Sequence, residues 1–287
     1  MSATWSAVVL SQGDRPRELL AAVTSLMAQQ GVSLEVIVVG NGWEPVDLPD
    51  EVRTVYLKQN LGIPKGRNRG VNKTRGKYLY FLDDDAVLPD TSTVASVQRL
   101  FEADPTLGVV QTRIASPAGI TAKRWVPRMR DKNPERTSEV FSVLEGSVAV
   151  RKKVLKNTRG WASRFFYAHE GIELAWRAWD AGYRVEYRAE LIANHPLVEP
   201  SRHDDQLWLN ARNRVWLAKR NLPLPVAVCY VANWAIMSVA RTVRRPASTV
   251  AWCKGAWAGT RTYGGRRRPI GWGTVWEMTK RGRPPVI

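Results

Sequence analysis

The chain predicts an α/β fold on a mostly parallel central sheet flanked by helices. Three observations predict it. Apolar runs of strand length alternate with helical patterns through the first 110 of its 287 residues, the rhythm of repeated strand–helix–strand units. The run Tyr78-Leu79-Tyr80-Phe81 closes on three adjacent carboxylates, Asp83-Asp84-Asp85. A parallel sheet presents its ligand crevice at that end of its strands. A 44% apolar composition with 13 Trp supports a real core.

The elements follow in order. Trp5 to Leu10 reads as a strand. Pro16 to Gln29 reads as a helix, with Leu19, Leu20, Val23, Leu26 and Met27 at helical spacing and Pro16 suited to a first turn. Glu35-Val36-Ile37-Val38-Val39 is a second strand, ended by Gly40-Asn41-Gly42, and Arg53 to Leu57 is a weaker third. Gly66 to Lys73 predicts a short helix, Tyr78 to Leu82 the central strand, Pro89 to Glu102 a helix and Gly108 to Gln111 a strand. Ala115 to Thr137 is polar, basic and interrupted by prolines, so it predicts a long surface loop. Strand character returns over Val140 to Val150. Glu170 to Ala181 predicts a helix closed by Gly182, and Tyr183 to Tyr187 and Leu191 to Asn194 are two extended segments. From Gln206 the chain reads as helical and basic.

Three carboxylates at the end of a buried strand repel one another unless a cation sits among them. They therefore point to a divalent metal holding a phosphate-bearing ligand; the competing reading is a solvated turn leading into a helix cap. A Walker loop and a Gly-x-Gly-x-x-Gly fingerprint are both absent, which argues against P-loop ATPases and Rossmann dehydrogenases. Instead the third strand is followed by Asn60-Leu61-Gly62-Ile63-Pro64-Lys65-Gly66-Arg67-Asn68-Arg69-Gly70. Its glycines allow close backbone approach, and Lys65 and Arg67 can neutralise phosphate oxygens. Glu170 and Glu173 lie three apart on one predicted helix face, and Glu173 has Arg177 four residues on, a pairing that keeps it ionised.

The ordered set Leu10-Ser11-Gln12-Gly13-Asp14-Arg15-Pro16, Val38-Val39-Gly40-Asn41-Gly42, Asn60-x-Gly62…Arg67-Asn68-x-Gly70, Phe81-Leu82-Asp83-Asp84-Asp85 and Phe165-Phe166-Tyr167-Ala168-His169-Glu170-Gly171-Ile172-Glu173-Leu174 resembles a family 2 glycosyltransferase of the GT-A fold, of the bacterial cell-surface polysaccharide type. The resemblance covers roughly residues 5 to 220. It implies a GT-A catalytic domain over residues 1–205 and a helical, basic, Trp-rich region over 206–287. It implies inverting, metal-dependent transfer of a sugar from a nucleoside diphosphate donor to a hydroxyl of a surface glycan or lipid-linked acceptor. Asp83 would lie near the ribose and share a Mn²⁺ or Mg²⁺ ion with Asp85, and Asp84 would stand beside the donor. Ser11 and Asn41 would hold the nucleobase, Lys65 and Arg67 the diphosphate, and His195 the metal or diphosphate. Glu170, with Glu173 as its rival, would deprotonate the acceptor, and His169 would touch sugar or acceptor. Arg202-His203 could hold a phosphate, and Glu145-Gly146-Ser147 would border the acceptor. Two positions depart from the family pattern: Gly40 stands where an Asp is common, and Gly171 stands where the second carboxylate of a Glu-Asp pair is usual.

Charge is placed unevenly. From Ser201 onward the chain carries 16 Lys and Arg against 3 Asp and Glu, a surplus of +13 within the overall +17. Seven tryptophans, Trp208, Trp216, Trp234, Trp252, Trp257, Trp272 and Trp276, run through this region. Trp beside Arg at an apolar boundary predicts an interfacial helix on an anionic membrane. The best apolar stretch, Leu222 to Ala240, holds Pro223, Pro225 and Asn233, so no clean span of about 18–20 residues is expected. The N-terminus shows no charged segment followed by an apolar one, and Cys229 and Cys253 form no disulfide or metal pattern. The expected location is the cytoplasm, at the inner face of the plasma membrane. Two further readings stay open: a nucleic-acid-binding protein gripping single strands with the basic Trp-rich tail, and a non-catalytic GT-A binding module. The confinement of charge to the tail and the acidic cluster speak against nucleic acid.

Overall fold

The computed structural model describes residues 4–128, 131–197 and 206–286. Its centre is an eight-stranded sheet. In chain order the strands are β1 (Trp5–Ser11), β2 (Leu34–Asn41), β3 (Arg53–Leu57), β4 (Tyr78–Asp83), β5 (Leu107–Ala115), β6 (Ser138–Glu139), β7 (Ser147–Arg151) and β8 (Arg184–Asn194). Their spatial order is β3-β2-β1-β4-β7-β5-β8-β6. Strands β3, β2, β1 and β4 are parallel, β7 runs antiparallel between β4 and β5, and β5 and β8 are again parallel. The fold is thus α/β with a mostly parallel sheet, as the strand–helix rhythm predicts.

Helices α1 (Pro16–Met27), α2 (Ile63–Val71), α3 (Thr93–Ala103), α4 (Lys152–Asn157) and α5 (Glu170–Asp180) cover the sheet. Alternation along the strands divides the core into two layers. Trp5, Ala7 and Val9 of β1 pack with Leu19, Val23 and Phe101, while Val8 packs on the other face with Ile37, Phe81, Val154 and Leu174. Helix α2 lies so close to β1 and β2 that a Cβ at Gly70 would sit 2.6 Å from Val8 and 2.8 Å from Val39. This approach brings the Arg67 side of α2 down onto the strand ends.

Four local expectations are corrected. Helix α2 starts at Ile63, not Gly66, because Gly62 takes φ +81° as its cap and Pro64 fits the first turn. The stretch Val140 to Val150 is a strand only from Ser147, and α4 follows where no helix was expected. The two extended segments after Gly182 are one strand, β8, with a register shift against β5. The loop after β5 includes one 3₁₀ turn, Lys123–Trp125, and buries Trp125 and Val126, so it is a packed wall rather than a free surface loop.

The C-terminal region forms α6 (Gln206–Asn221), α7 (Leu224–Thr242), α8 (Pro246–Arg261) and α9 (Trp272–Lys280). It shares a core with the sheet domain: Phe141, Phe165 and Trp176 pack with Trp216, Leu217, Leu222, Tyr230 and Met278. The prolines do not interrupt α7. Pro223 is its cap and Pro225 lies in its first turn, where a missing N–H costs no intrahelical bond. The result is one 19-residue helix that is long and apolar enough to cross a membrane by length and composition. Val226, Ala227 and Tyr230 are buried, while Leu224, Val228, Ile236 and Val243 are exposed.

Candidate active site

The registers of the parallel strands bring the predicted residues together. Ser11 pairs with Gly40 across β1 and β2, and Leu10 pairs with Asp83 across β1 and β4, so the three strand ends open into one cleft. Strand β8 ends on the same side. His195 N–H donates to the Ala115 carbonyl at 2.8 Å, and Asn194 bridges to Val87 just past the carboxylates. His195 Nε2 therefore lies 3.1 Å from Asp85 Oδ1 and 3.9 Å from Asp83 Oδ2. One ligand atom from each of Asp83, Asp85 and His195 falls within 4.8 Å of the others. Two carboxylate oxygens and one imidazole nitrogen suit Mn²⁺ or Mg²⁺, so the donor set fits the ion that the resemblance implies.

Two arginines offset the acidic cluster. Arg15 forks between Asp84, at 2.6 Å, and Asp85 Oδ2, which leaves Asp85 Oδ1 toward His195. Arg67 donates to Asp83 Oδ1 at 2.8 Å and to the Glu145 carbonyl at 3.2 Å. Burial pulls the Arg15 guanidinium down, but Asp84, Asp85, Asp14 and Asp83 outweigh it and raise it. Burial pushes Asp84 up to about 6 against Arg15 and a Ser11 hydrogen bond. Burial lowers His195, but the hydrogen bond and charge of Asp85 and the charge of Asp83 outweigh it and leave the imidazole raised. Arg15 was not anticipated from the sequence; its partners lie about seventy residues away, and no local pattern marks it.

A cavity of about 620 Å³ occupies this cleft and is lined by Ser11, Asn41, Arg67 and the three aspartates, among others. Asn41 accepts from Leu61 N–H at 2.8 Å and donates to Asn60 at 2.8 Å; Asn60 in turn donates to Gln12 at 2.8 Å. Gly40 has no space for the side chain common in the family, because a Cβ there would overlap the Trp43 carbonyl and sit 2.7 Å from Pro45. Lys65 does not line this cleft, contrary to expectation: it sits on α2 two residues from Arg67, and about 200° of helical rotation turns it away.

A second cavity, of about 720 Å³, shares Ile63, Arg67, Asp83 and Tyr167 with the first. Glu145, His169 and Glu170 stand at its floor. Its walls are basic, with Arg124, Arg128, Lys132, Arg241 and Arg283, and partly apolar, with Val126, Ile172, Trp234 and Met237. Among the described residues, Lys132, Arg241 and Arg283 form no ion pair with a carboxylate. Burial lowers both Lys132 and Arg283.

Glu170 and Glu173 part company. Glu170 is 2% exposed and aims its carboxyl into the second cavity, where Oε2 finds no hydrogen-bond partner among the described residues. Glu173 turns away and is held by Arg177 at 3.0 Å, Arg220 at 2.7 and 2.9 Å, and Asn221 at 2.8 Å. A spacing of three leaves about 60° between side chains, enough to send one to the cavity and the other to α6. Glu173 lines neither cavity, so its expected catalytic place is corrected to a structural one. His169 Nε2 lies 3.2 Å from the Asn210 carbonyl, and burial, then Arg214, holds its imidazole well below the usual range. Arg202 and His203 lie outside the described residues.

The loop before α5 is strained. Phe166, Ala168 and His169 take φ of +66°, +67° and +72°, each costing roughly 1–3 kcal/mol. Two clamps hold it. Ile63 N–H donates to the Phe166 carbonyl at 2.8 Å, and a Cβ at Gly62 would stand 2.6 Å from Phe166 Cα. From the other side, the fully buried Asn213 of α6 donates to the carbonyls of Phe165 at 2.8 Å and Tyr167 at 2.5 Å.

A carboxylate and imidazole set at the C-terminal edge of a parallel sheet, opening onto a second cavity with a buried carboxyl group, marks the ligand crevice of an α/β protein. The chain belongs to glycosyl transferase family 2, whose profile matches residues 8–159, just over half of the sequence. It is 28% identical over 143 residues to the succinoglycan biosynthesis protein ExoO of Rhizobium meliloti, covering 47% of this chain and 40% of that protein. It is 24% identical over 278 residues to the pre-mycofactocin glycosyltransferase of Mycobacterium tuberculosis, covering 85% of this chain and 54% of that one. The chain thus spans about half the length of these relatives. Among solved structures it resembles GalNAc-T7 with UDP, GalNAc and Mn²⁺, with a TM-score of 0.63 at 12% identity over 87% of this chain and 51% of that one. The fold is GT-A.

Proposed function

We propose that this protein transfers a sugar from a nucleoside diphosphate donor to a hydroxyl of a lipid-linked or surface-glycan acceptor, with inversion at the anomeric carbon and with the help of a divalent metal. The observation that carries this reading is the meeting of the two cavities at Arg67 and Asp83, with the metal-fitting set on one side and the carboxyl groups of Glu145 and Glu170 on the other. Mn²⁺ or Mg²⁺ held by Asp83, Asp85 and His195 would supply Lewis-acid stabilisation to the departing diphosphate. Ser11, Asn41 and Asn60 form the nucleoside end of the cleft. Arg15 fixes Asp84 and Asp85 in place, and Arg67 adds a positive charge between donor and acceptor. A carboxylate at the N-terminus of α5 receives the acceptor proton.

The basic wall of the second cavity favours an acceptor that carries phosphate. Its apolar side continues onto α7, whose exposed residues include Val228, Ile236 and Val239, with Arg241 in its last turn and Arg244 and Arg245 just beyond it. The buried face of α7 stays on the protein core, which favours a helix lying on an anionic membrane at its cytoplasmic face over one that crosses it. A lipid-linked phosphate would reach the basic cavity from that surface. A nucleic-acid grip is less well supported, since Arg212, Arg214 and Arg220 are committed to Trp216, Trp234 and Glu173 inside the fold. The test is nucleotide release from UDP-glucose, UDP-GlcNAc and GDP-mannose with and without Mn²⁺. Metal-dependent release from one donor is expected; no release and no nucleotide binding across the panel would sink the transferase reading.

A further inference from the structure

Gly171 follows Glu170 in the first turn of α5 and has no room for a side chain. A Cβ there would overlap both the Val143 carbonyl and Glu145 Oε1. The space is taken by the Glu145 carboxylate itself. Glu145 reaches it from the loop before β7, and that loop is drawn in tightly: a Cβ at Gly146 would lie 3.0 Å from Asp83 Oδ2, and the Glu145 carbonyl accepts from Arg67. A residue 25 positions upstream thus delivers a carboxylate to the N-terminus of α5, next to Glu170 and facing the acceptor cavity. The two differ in access. Glu145 is half-buried, whereas Glu170 is 2% exposed behind it.

We propose that Glu145 is the catalytic residue that takes the proton of the acceptor hydroxyl, with Glu170 as its buried partner; this rests on the transferase reading above. In the step, the acceptor oxygen forms a bond to the anomeric carbon and gives its proton to the Glu145 carboxylate. The bond from that carbon to the diphosphate oxygen breaks, and its electron pair leaves on the nucleoside diphosphate. The chemistry fits a base placed beside a second carboxyl: two buried carboxylates cannot both ionise cheaply. Burial, then the charge of Glu170, raises Glu145 to about 8 against the charge of Arg67, with Asp83 adding. Burial likewise raises Glu170.

The experiment uses the full chain with Mn²⁺ and the three nucleotide sugars above, water serving as acceptor. E145Q should lower nucleotide release by about 100-fold or more, while calorimetric affinity for UDP with Mn²⁺ stays within about 2-fold. Added formate should restore release to E145A, a response that a structural role would not give. Release by E145Q close to wild type, or formate rescue of E170A and not of E145A, would overturn the assignment and leave the transferase reading standing. A second arm needs no turnover. A carboxyl raised on folding makes stability fall as pH rises above its unfolded value, here across about pH 4.5 to 8. The melting temperature of metal-free wild type should fall across that window, and that of E145Q should fall less. Equal falls would mean that folding does not raise the Glu145 carboxyl and would overturn its pairing with Glu170 even if no donor is hydrolysed.

Discussion

The two cavities that meet at Arg67 and Asp83 are built differently. The first draws mainly on β1, β2 and β4 and the turns that follow them, so most of its chemistry lies within the first 85 residues. It is acidic and tempered by Arg15 and Arg67. Apart from the shared Ile63, Arg67 and Asp83, the second draws on segments from Arg124 to Arg283, is walled by cations, and depends on helices that the family profile does not cover. The difference teaches that a parallel sheet can supply one cavity from its own strand ends, whereas a cavity beside it must be assembled from distant pieces.

Four perturbations test that contrast, from the largest expected effect down. E173Q attacks the joint between α5 and α6 and leaves Arg177 and Arg220 without their buried anion. It should cost about 3–5 kcal/mol of stability by denaturant titration; a loss within about 0.5 kcal/mol would mean that the helical region is dispensable to the fold. D85N should reduce Mn²⁺-dependent UDP binding by on the order of 100-fold, the scale expected when a direct metal ligand goes. Calorimetry showing an unaltered Mn²⁺ requirement would remove Asp85 from the metal. R283A should weaken binding of a short polyprenyl phosphate by about 10-fold, as expected for a charge-assisted contact, while UDP affinity holds. If both affinities move together, the cavities are not separable. R244A should lower binding to anionic vesicles by about 1 kcal/mol, roughly 5-fold, and high salt should shrink the difference. Sedimentation that ignores both lipid charge and this residue would leave α7 as a packing element.

The same contrast explains what could be read in advance. Strands β1, β2 and β4, helix α1 and the Asp83–Asp85 cluster are local patterns, and each falls where periodicity and turn residues put it. His195 was legible because it ends a strand pattern. Arg15 is not, because its contacts join a loop to carboxylates about seventy residues away; the Glu145 turn is legible as a border of the acceptor, but its contact with the start of α5 is not. Lys65 failed because its side of α2 depends on where the helix begins, and the start lies three residues earlier than expected. The signal was present in Gly62 and Pro64. The prolines of α7 were read as interruptions, though both sit where a helix start tolerates them. Glu173 carried its own warning in Arg177; its second and third partners, Arg220 and Asn221, could not be seen along the chain.

Asn213 has a consequence in time. The loop of Phe166 to His169 adopts three left-handed residues and is held from one side by α2 and from the other by Asn213. A ribosome delivers α2 and the carboxylate cluster long before it delivers α6. The nascent chain therefore holds α2 and the Asp83–Asp85 cluster while the loop of Phe166 to His169 still lacks its second clamp. Limited proteolysis of arrested chains, before and after α6 has emerged, reads the order directly: cutting at Phe166 or Tyr167 should vanish only in the longer chain.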